Sequence, residues 1–309
     1  MSRKVLASLS IAAWVLGTCG ISLGQVTLEH KFAEGSTFTL EMVTKFEQKL
    51  TIAGMETDTN SDARAAVKTT VGKRDVEGKL RVQQKIDTLQ VLVGVMGQNY
   101  TFDSANPDEK GTSPLEMMRS VHKALTGQVT TIVYDKSNRA TAVERDENAL
   151  GAVNIEAREL VKTQLDPENL KNEANESLDE IKSDPISKGD TWERVKAIHF
   201  GAGQIMDFKT QYTYQGTTEK DGKTFDKISS KALSVTFSLA NSPLPFSVKS
   251  SDLKPTESEG VILFDRQKGQ VIESNTSNRV EGDIVFSYND KDLPAKLDLK
   301  MDVATTIKP

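Results

Sequence analysis

The stretch Gly260-Val-Ile-Leu-Phe-Asp-Arg-Gln-Lys-Gly-Gln-Val-Ile-Glu-Ser274 decides the fold. Four apolar residues run into Asp265, and Gly269 follows four positions later, ahead of Val271 and Ile272. An Asp side chain caps backbone N–H groups at a turn, and Gly accepts the positive φ of a bulged hairpin. The spacing predicts a β-hairpin with its tip at residues 265–269. Earlier the chain carries a close variant, Thr131-Ile-Val-Tyr134-Asp135-Lys-Ser-Asn138-Arg139. Tyr134 stands for Phe264, Asp135 for Asp265, and Asn138 or Arg139 stands near Gly269; Asn is the next-best residue at positive φ. A hairpin written twice predicts two related halves.

Outward from these hairpins the period is two. Phe38, Leu40, Met42, Phe46, Leu50 and Ile52 share one face of residues 37–52, with polar residues opposite, which is a long half-buried antiparallel strand. Residues 54–62 read as a polar turn, and Ala65–Val71 as the next strand. Leu80, Val82 and Ile86 lie on one parity and Leu89, Val91 and Val93 on the other, so a bulge is expected between them. The second half shows a similar change after Ile228, at Leu233, Val235 and Phe237. There Trp192 parallels Phe38, and Asp221-Gly222-Lys223 parallels Glu77-Gly78-Lys79. Residues 241–255 read as a loop, and 296–303 as a final alternating strand.

Helical periodicity appears twice. Residues 115–126 follow Pro114 and place Leu115, Met118, Val121 and Leu125 on one face. Residues 148–184 are poor in β-branched types and predict two helices, 154–165 and 167–181, the second opened by Asp166 as N-cap and Pro167 at the first turn. The fold class that results is α+β, mainly antiparallel β: two related halves of long, curved sheet joined by a helical connector. The expected divisions are 1–24, 25–147 with the helical insert 115–126, 148–184 and 185–309.

Arg3 and Lys4 precede an apolar run ending near Leu23, with small residues at Ser22 and Gly24, the pattern of a signal peptide cleaved before Gln25. A lipoprotein signal ending at Cys19 is the alternative. Cleavage after Gly24 removes the only cysteine, and with it disulfides and thiolate chemistry. It also leaves 37 basic residues against 44 acidic ones, a net charge near −7. That excludes an electrostatic grip on nucleic acid. An outer-membrane barrel is disfavoured by 6% aromatics and the ending Ile307-Lys308-Pro309.

His30, His122 and His199 show no metal-ligand spacing, and no nucleophile elbow, zinc helix or phosphate loop is present. Gly201-Ala202-Gly203 lacks the third glycine of a dinucleotide loop, and Asp290-Lys291-Asp292 lacks the rest of a calcium loop. No metal, no cofactor and no enzymatic activity are expected. Trp192 reads as packing at the foot of the second half.

The series Gly189-Asp190-Thr191-Trp192, Tyr212-x-Tyr214, Asp221-Gly222-Lys223 with Ile228, and Gly260 to Gly269 resembles an uncharacterised family of exported bacterial proteins, across most of the mature chain. In architecture, long curved strands with a helical insert are similar to the lipoprotein-carrier superfamily, whose half-barrel sheets hold acyl chains against helices. The expected function is a non-enzymatic binding module of the periplasm or cell surface, taking an apolar small molecule or lipid. Its site is expected between Phe38, Leu40, Met42 and Phe46 of the long strand and Leu115, Met118, Val121 and Leu125 of the helix. The alternative is an envelope scaffold, partnered by another envelope protein, with solid cores. A hydrolase ranks third.

Overall fold

The computed structural model describes residues 24–109, 111–112, 114–145, 151, 153–162 and 165–308. The expected leader and Cys19 lie outside the described residues. The first strands are β1 (Thr37–Ile52), β2 (Met55–Val71), β3 (Leu80–Val95) and β4 (Gln98–Asp103). A 3-10 turn at Pro114–Met117 leads into α1 (Met118–Leu125), followed by β5 (Val129–Tyr134) and β6 (Ala140–Arg145). Next come α2 (Ile155–Val161) and α3 (Pro167–Asp179). The second half holds β7 (Thr191–His199), β8 (Gln204–Lys220), β9 (Lys223–Leu239), β10 (Ser247–Asp265), β11 (Gln270–Tyr288) and β12 (Lys291–Lys308).

All twelve strands belong to one antiparallel sheet, in the order β6-β5-β3-β2-β1-β12-β11-β10-β9-β8-β7, with β4 on β3. β1 pairs with β12 from Thr39↔Lys308 to Ile52↔Ala295, so the two expected halves share a sheet. β10 and β11 are 19 residues each, about 60 Å at some 3.3 Å per residue. Two expected loops are strand. Residues 55–62 are polar but follow the two-residue turn Ala53-Gly54 and pair with β1 up to Ile52↔Met55. Residues 247–255 pair with β11 from Ser247↔Ser287. In both places the ladder supplies backbone partners that composition does not announce.

Both parity changes are bulges. Ala66 pairs with Thr88 and Val67 with Ile86, leaving Asp87 as the extra residue. Lys209 pairs with Ser234 and Thr210 with Ala232, leaving Leu233 as the extra residue, 41% exposed rather than inward. The Asp265 hairpin also has its bulge, between Leu263 and Phe264, and the Asp135 hairpin has one between Val133 and Tyr134. Asp135 Oδ1 accepts from the N–H of Ser137 and Arg139; Asp265 Oδ1 accepts from that of Lys268. Asn138 (φ 61°) and Gly269 (φ 64°) take the positive φ, one position apart in the two loops. The parallel between Glu77-Gly78 and Asp221-Gly222 does not hold. Asp221-Gly222 is a two-residue hairpin closing Lys220↔Lys223, whereas Gly78 sits in a wider turn capped by Asp75.

Apolar residues gather on the inner face in two tiers. At the end bearing the β1–β2 and β11–β12 turns, Phe208, Phe237, Phe286, Val280, Ile284 and Leu299 form a filled core, with Phe46, Leu50 and Ile52 against it. At the opposite end, Ile228, Ile262, Phe264, Trp192 and Tyr212 pack with Leu28, Ile181 and Ile186. Here the segment from Val26 to Phe32 crosses the sheet. Val26 bridges Ile186, Lys31 N–H donates to Gly269 C=O at 2.9 Å, Asn138 Nδ2 donates to His30 C=O at 3.2 Å, and the Phe32 ring lies tilted against Tyr134 at 4.6 Å.

That crossing makes Gly269 a two-fold requirement. Its φ disfavours a side chain, and a Cβ there would come within 2.6 Å of the Glu29 carbonyl oxygen and of Lys31 Cβ. Gly269→Val is expected to lower unfolding free energy by about 2 kcal/mol or more in chemical denaturation. Gly54→Ala, at similar φ in open space, should cost about 1 kcal/mol. Equal effects would show that the crossing segment does not press on the turn.

A candidate ligand cavity beneath α3

Helix α3 lies across the gap between the sheet's two edges, β6 and β7. Its start follows from sequence: Asp166 accepts from the N–H of Glu168 and Asn169, and Pro167 occupies the first turn. Toward β6, the Asn175 amide accepts from Ala140 N–H at 2.8 Å and donates to Ala140 C=O at 3.0 Å, as a neighbouring strand would. Arg139 clasps Asp179 through two bonds of 2.6 and 3.1 Å. Toward β7, Glu176 accepts from Ala197 N–H at 3.3 Å, and Lys196 Nζ meets Glu180 at 2.5 Å. The Trp192 indole N–H and Arg194 Nε–H donate to the carbonyls of Glu180 and Asp179.

Between α3 and the sheet is a cavity of about 580 Å³. Leu170, Glu173, Ala174, Ser177 and Leu178 face it, at the 3–4-residue spacing of one helix face. One wall is mainly apolar, Phe38, Leu40, Val71, Val82, Ile132 and Tyr134 from β1, β2, β3 and β5, with Thr69, Gln84 and Thr130 among them. The facing wall carries Phe208, Tyr212, Ala232 and Ile262, with a band of small polar residues: Thr210, Ser230, Ser258, Ser274, Thr276 and Asn278. Gly260 lies within that band, and a Cβ there would meet Ser230 Oγ at 2.0 Å. The space exists because this band is built from short side chains, where the tier above it has phenylalanines.

The acidic and basic side chains that line the cavity are Glu173, Glu180, Lys196 and His30. Burial raises the pKa of Glu173, against the pull of His199 and Lys196. Burial works to lower that of Lys196, but the adjoining Glu180 carboxylate outweighs it and holds the amine above its ordinary value. Burial takes His30 from 6.5 down to about 4, opposed by the Leu178 backbone and Asp179. Its Nε2 is buried without a hydrogen-bond partner among the described residues.

Of the residues singled out from sequence, Phe38 and Leu40 line this cavity. Met42 lies further along the inner face of β1, opposite Ala65. Phe46 belongs to the filled core, its ring 5.6 Å from Phe200. The four residues 115–125 do not face the cavity. Leu115 and Met118 pack directly on Leu89, Tyr100 and Phe102, while Val121 and Leu125 pack with Val153, Ala157 and Val161 of the α2 region. The site is walled instead by the segment read as a connector. The α3 stripe is half polar, so periodicity alone does not mark it as a core face. Among the described residues no group of His, Cys, Asp and Glu could hold a metal ion, and no helix is long and apolar enough to cross a membrane.

No protein-family model and no curated protein matches the sequence. Among solved structures, the chain is similar to lipovitellin, in a structure described by its lipid-protein interactions, at 10% identity and a TM-score of 0.43. The match covers 90% of this chain and 26% of that one. It is also similar to an outer membrane channel from Pseudomonas putida (7%, 0.21, covering 91% and 98%) and to a DUF1329 family protein from Desulfovibrio piger (8%, 0.15, covering 84% and 83%). The chain thus spans about a quarter of the lipovitellin chain. None of these reaches a TM-score of 0.5, and function is argued from the cavity alone.

Two buried imidazoles set a pH dependence. His122, bonded through Nδ1 to Tyr100 Oη at 2.8 Å, is also lowered to about 4, by burial and then by Arg119. A folded-state value below 6.5 means stability that is present above pH 6.5 and lost as pH falls through 4, roughly 3 kcal/mol for each group. Glu173 and Glu176, raised by burial, act in the opposite sense at low pH. Urea unfolding at pH 7 and 4.5 should show a net loss at 4.5, reduced by about 2 kcal/mol in either His30→Phe or His122→Phe. A profile that both variants leave unchanged would contradict neutral imidazoles in the fold.

Proposed function

We propose that this chain is an exported, non-enzymatic binding protein that holds an apolar or lipid-like ligand between its sheet and α3. The cavity carries the reading. Its volume falls in the range of small-molecule sites, which run to about 300–1,000 Å³ with mostly apolar walls and a few placed polar groups. A wall of Phe38, Leu40, Val71, Val82 and Ile132 suits a hydrocarbon chain, because burying apolar surface is favourable by about 25 cal/mol per Å². The periplasm or cell surface as location rests on the basic and apolar start of the sequence.

Two related halves joined by a helical connector remain part of the proposal. In each half a meander of long strands is interrupted by a bulge, and each contains an Asp-capped, bulged hairpin. The scaffold reading draws on the solid core around Phe237 and Phe286, but it gives no reason for the space under α3.

Binding of the apolar dye N-phenyl-1-naphthylamine to the purified protein tests the proposal. The parent should bind it, and Ala174→Trp, which fills the cavity from α3, should weaken binding at least ~10-fold, about 1.4 kcal/mol. Met118→Ala should instead cost the roughly 2–5 kcal/mol of a core truncation and leave dye affinity unchanged, since Met118 packs directly against the sheet. A parent protein that binds no dye would refute the carrier and leave the scaffold.

A further inference from the structure

Resting on the carrier reading, we infer that the cavity selects amphiphiles whose head group donates hydrogen bonds, an alcohol or an amine, and turns away carboxylate heads. The inference comes from how charge is distributed along its α3 side. Lys196 is the one ammonium in the lining, and it is already engaged by Glu180 at 2.5 Å. Glu173 faces the same space, half-buried, and among the described residues nothing donates a hydrogen bond to its carboxylate. Glu176 stands one turn-step away, held to the Ala197 amide at 3.3 Å. Three carboxylates, Glu173, Glu176 and Glu180, therefore stand around one engaged ammonium. His30, against the Leu178–Asp179 end of α3, is neutral at pH 7 because burial depresses its pKa to about 4.

A carboxylate-headed ligand entering here would lose its hydration beside an uncompensated negative group, and burying like charges together is costly. A hydroxyl or ammonium would give Glu173 the donor it lacks, and a hydrogen bond to a charged acceptor is among the stronger kinds. The upward shift of the Glu173 pKa by burial agrees with a carboxylate short of donors. The ligand's chain would then lie along Phe38, Leu40 and Val82, away from α3.

The test is displacement of bound N-phenyl-1-naphthylamine at pH 7.5 by oleyl alcohol, oleylamine and oleate, which share one chain and differ in head. Oleyl alcohol and oleylamine should displace the dye, and oleate should need at least ~10-fold more, equivalent to about 1.4 kcal/mol. Glu173→Gln keeps the side-chain shape and breaks no hydrogen bond of the fold. It should weaken oleylamine and strengthen oleate several-fold, without lowering the unfolding midpoint, since burial disfavours the Glu173 charge. Oleate matching or exceeding oleyl alcohol in the parent would overturn the inference, as would an order of affinities that Glu173→Gln leaves intact. Dye that binds but is displaced by none of the three also overturns it while sparing the carrier. Dye that never binds removes the carrier itself.

Discussion

An open sheet of twelve strands has two edges whose backbone groups seek partners, and here both edges find them on one helix. The Asn175 amide takes both backbone groups of Ala140 on β6, and the next residue, Glu176, takes the Ala197 amide on β7. Unpaired edges invite pairing with other chains. Covering them with α3 removes that liability at the start of β6 and near the end of β7 and ties the two edges to one helix. The ion pairs Arg139–Asp179 and Lys196–Glu180 flank the same contacts. They are partly exposed and add modest energy, so the amide and backbone bonds define the geometry.

Once α3 is fixed by its ends, its distance from the sheet is set, and side-chain size decides what fills the space. Toward the β1–β2 turn, Phe237 and Phe286 pack into a core with Phe208, which also borders the cavity. Around Gly260 the inner wall is Ser230, Ser258 and Thr276, and a cavity remains. Part of this polar band is structural: Ser258 Oγ accepts from the Ala232 N–H at the β9 bulge and bonds Asn278 at 2.7 Å. The same bulge that re-aims β9 therefore explains why a serine, rather than a leucine, occupies the wall at this point.

Much of the sheet was legible from residues alone. β1 runs over the span its alternation gives, because one face is buried along its length and a slip of one residue would invert it. Both bulges follow from changes of parity, and the Asp-capped hairpins from turn chemistry. The polar strands 55–62 and 247–255 were not legible, since their composition resembles loop and their backbone pairing, with β1 across a two-residue turn and with β11, leaves no apolar alternation. Of the candidate site, the strand pattern singles out Phe38 and Leu40, which line the cavity. The helix with the more apolar stripe packs directly, through Leu115 and Met118 on Tyr100 and Phe102 and through Val121 and Leu125 on Val153, Ala157 and Val161. A helix that borders a cavity with polar groups shows a mixed face, as α3 does with Leu170, Glu173, Ala174, Ser177 and Leu178, and mixed faces look like connectors.

The dependence of the cavity on α3 is tested most directly by amide hydrogen exchange with dye binding in one double variant, Asn175→Ala with Glu176→Ala. The amides of Ala140 and Ala197, on opposite edges of the sheet, should lose protection together, and dye affinity should fall with them. Both amides unprotected with dye affinity unchanged would contradict the claim that this helix, spanning the two edges, makes the site.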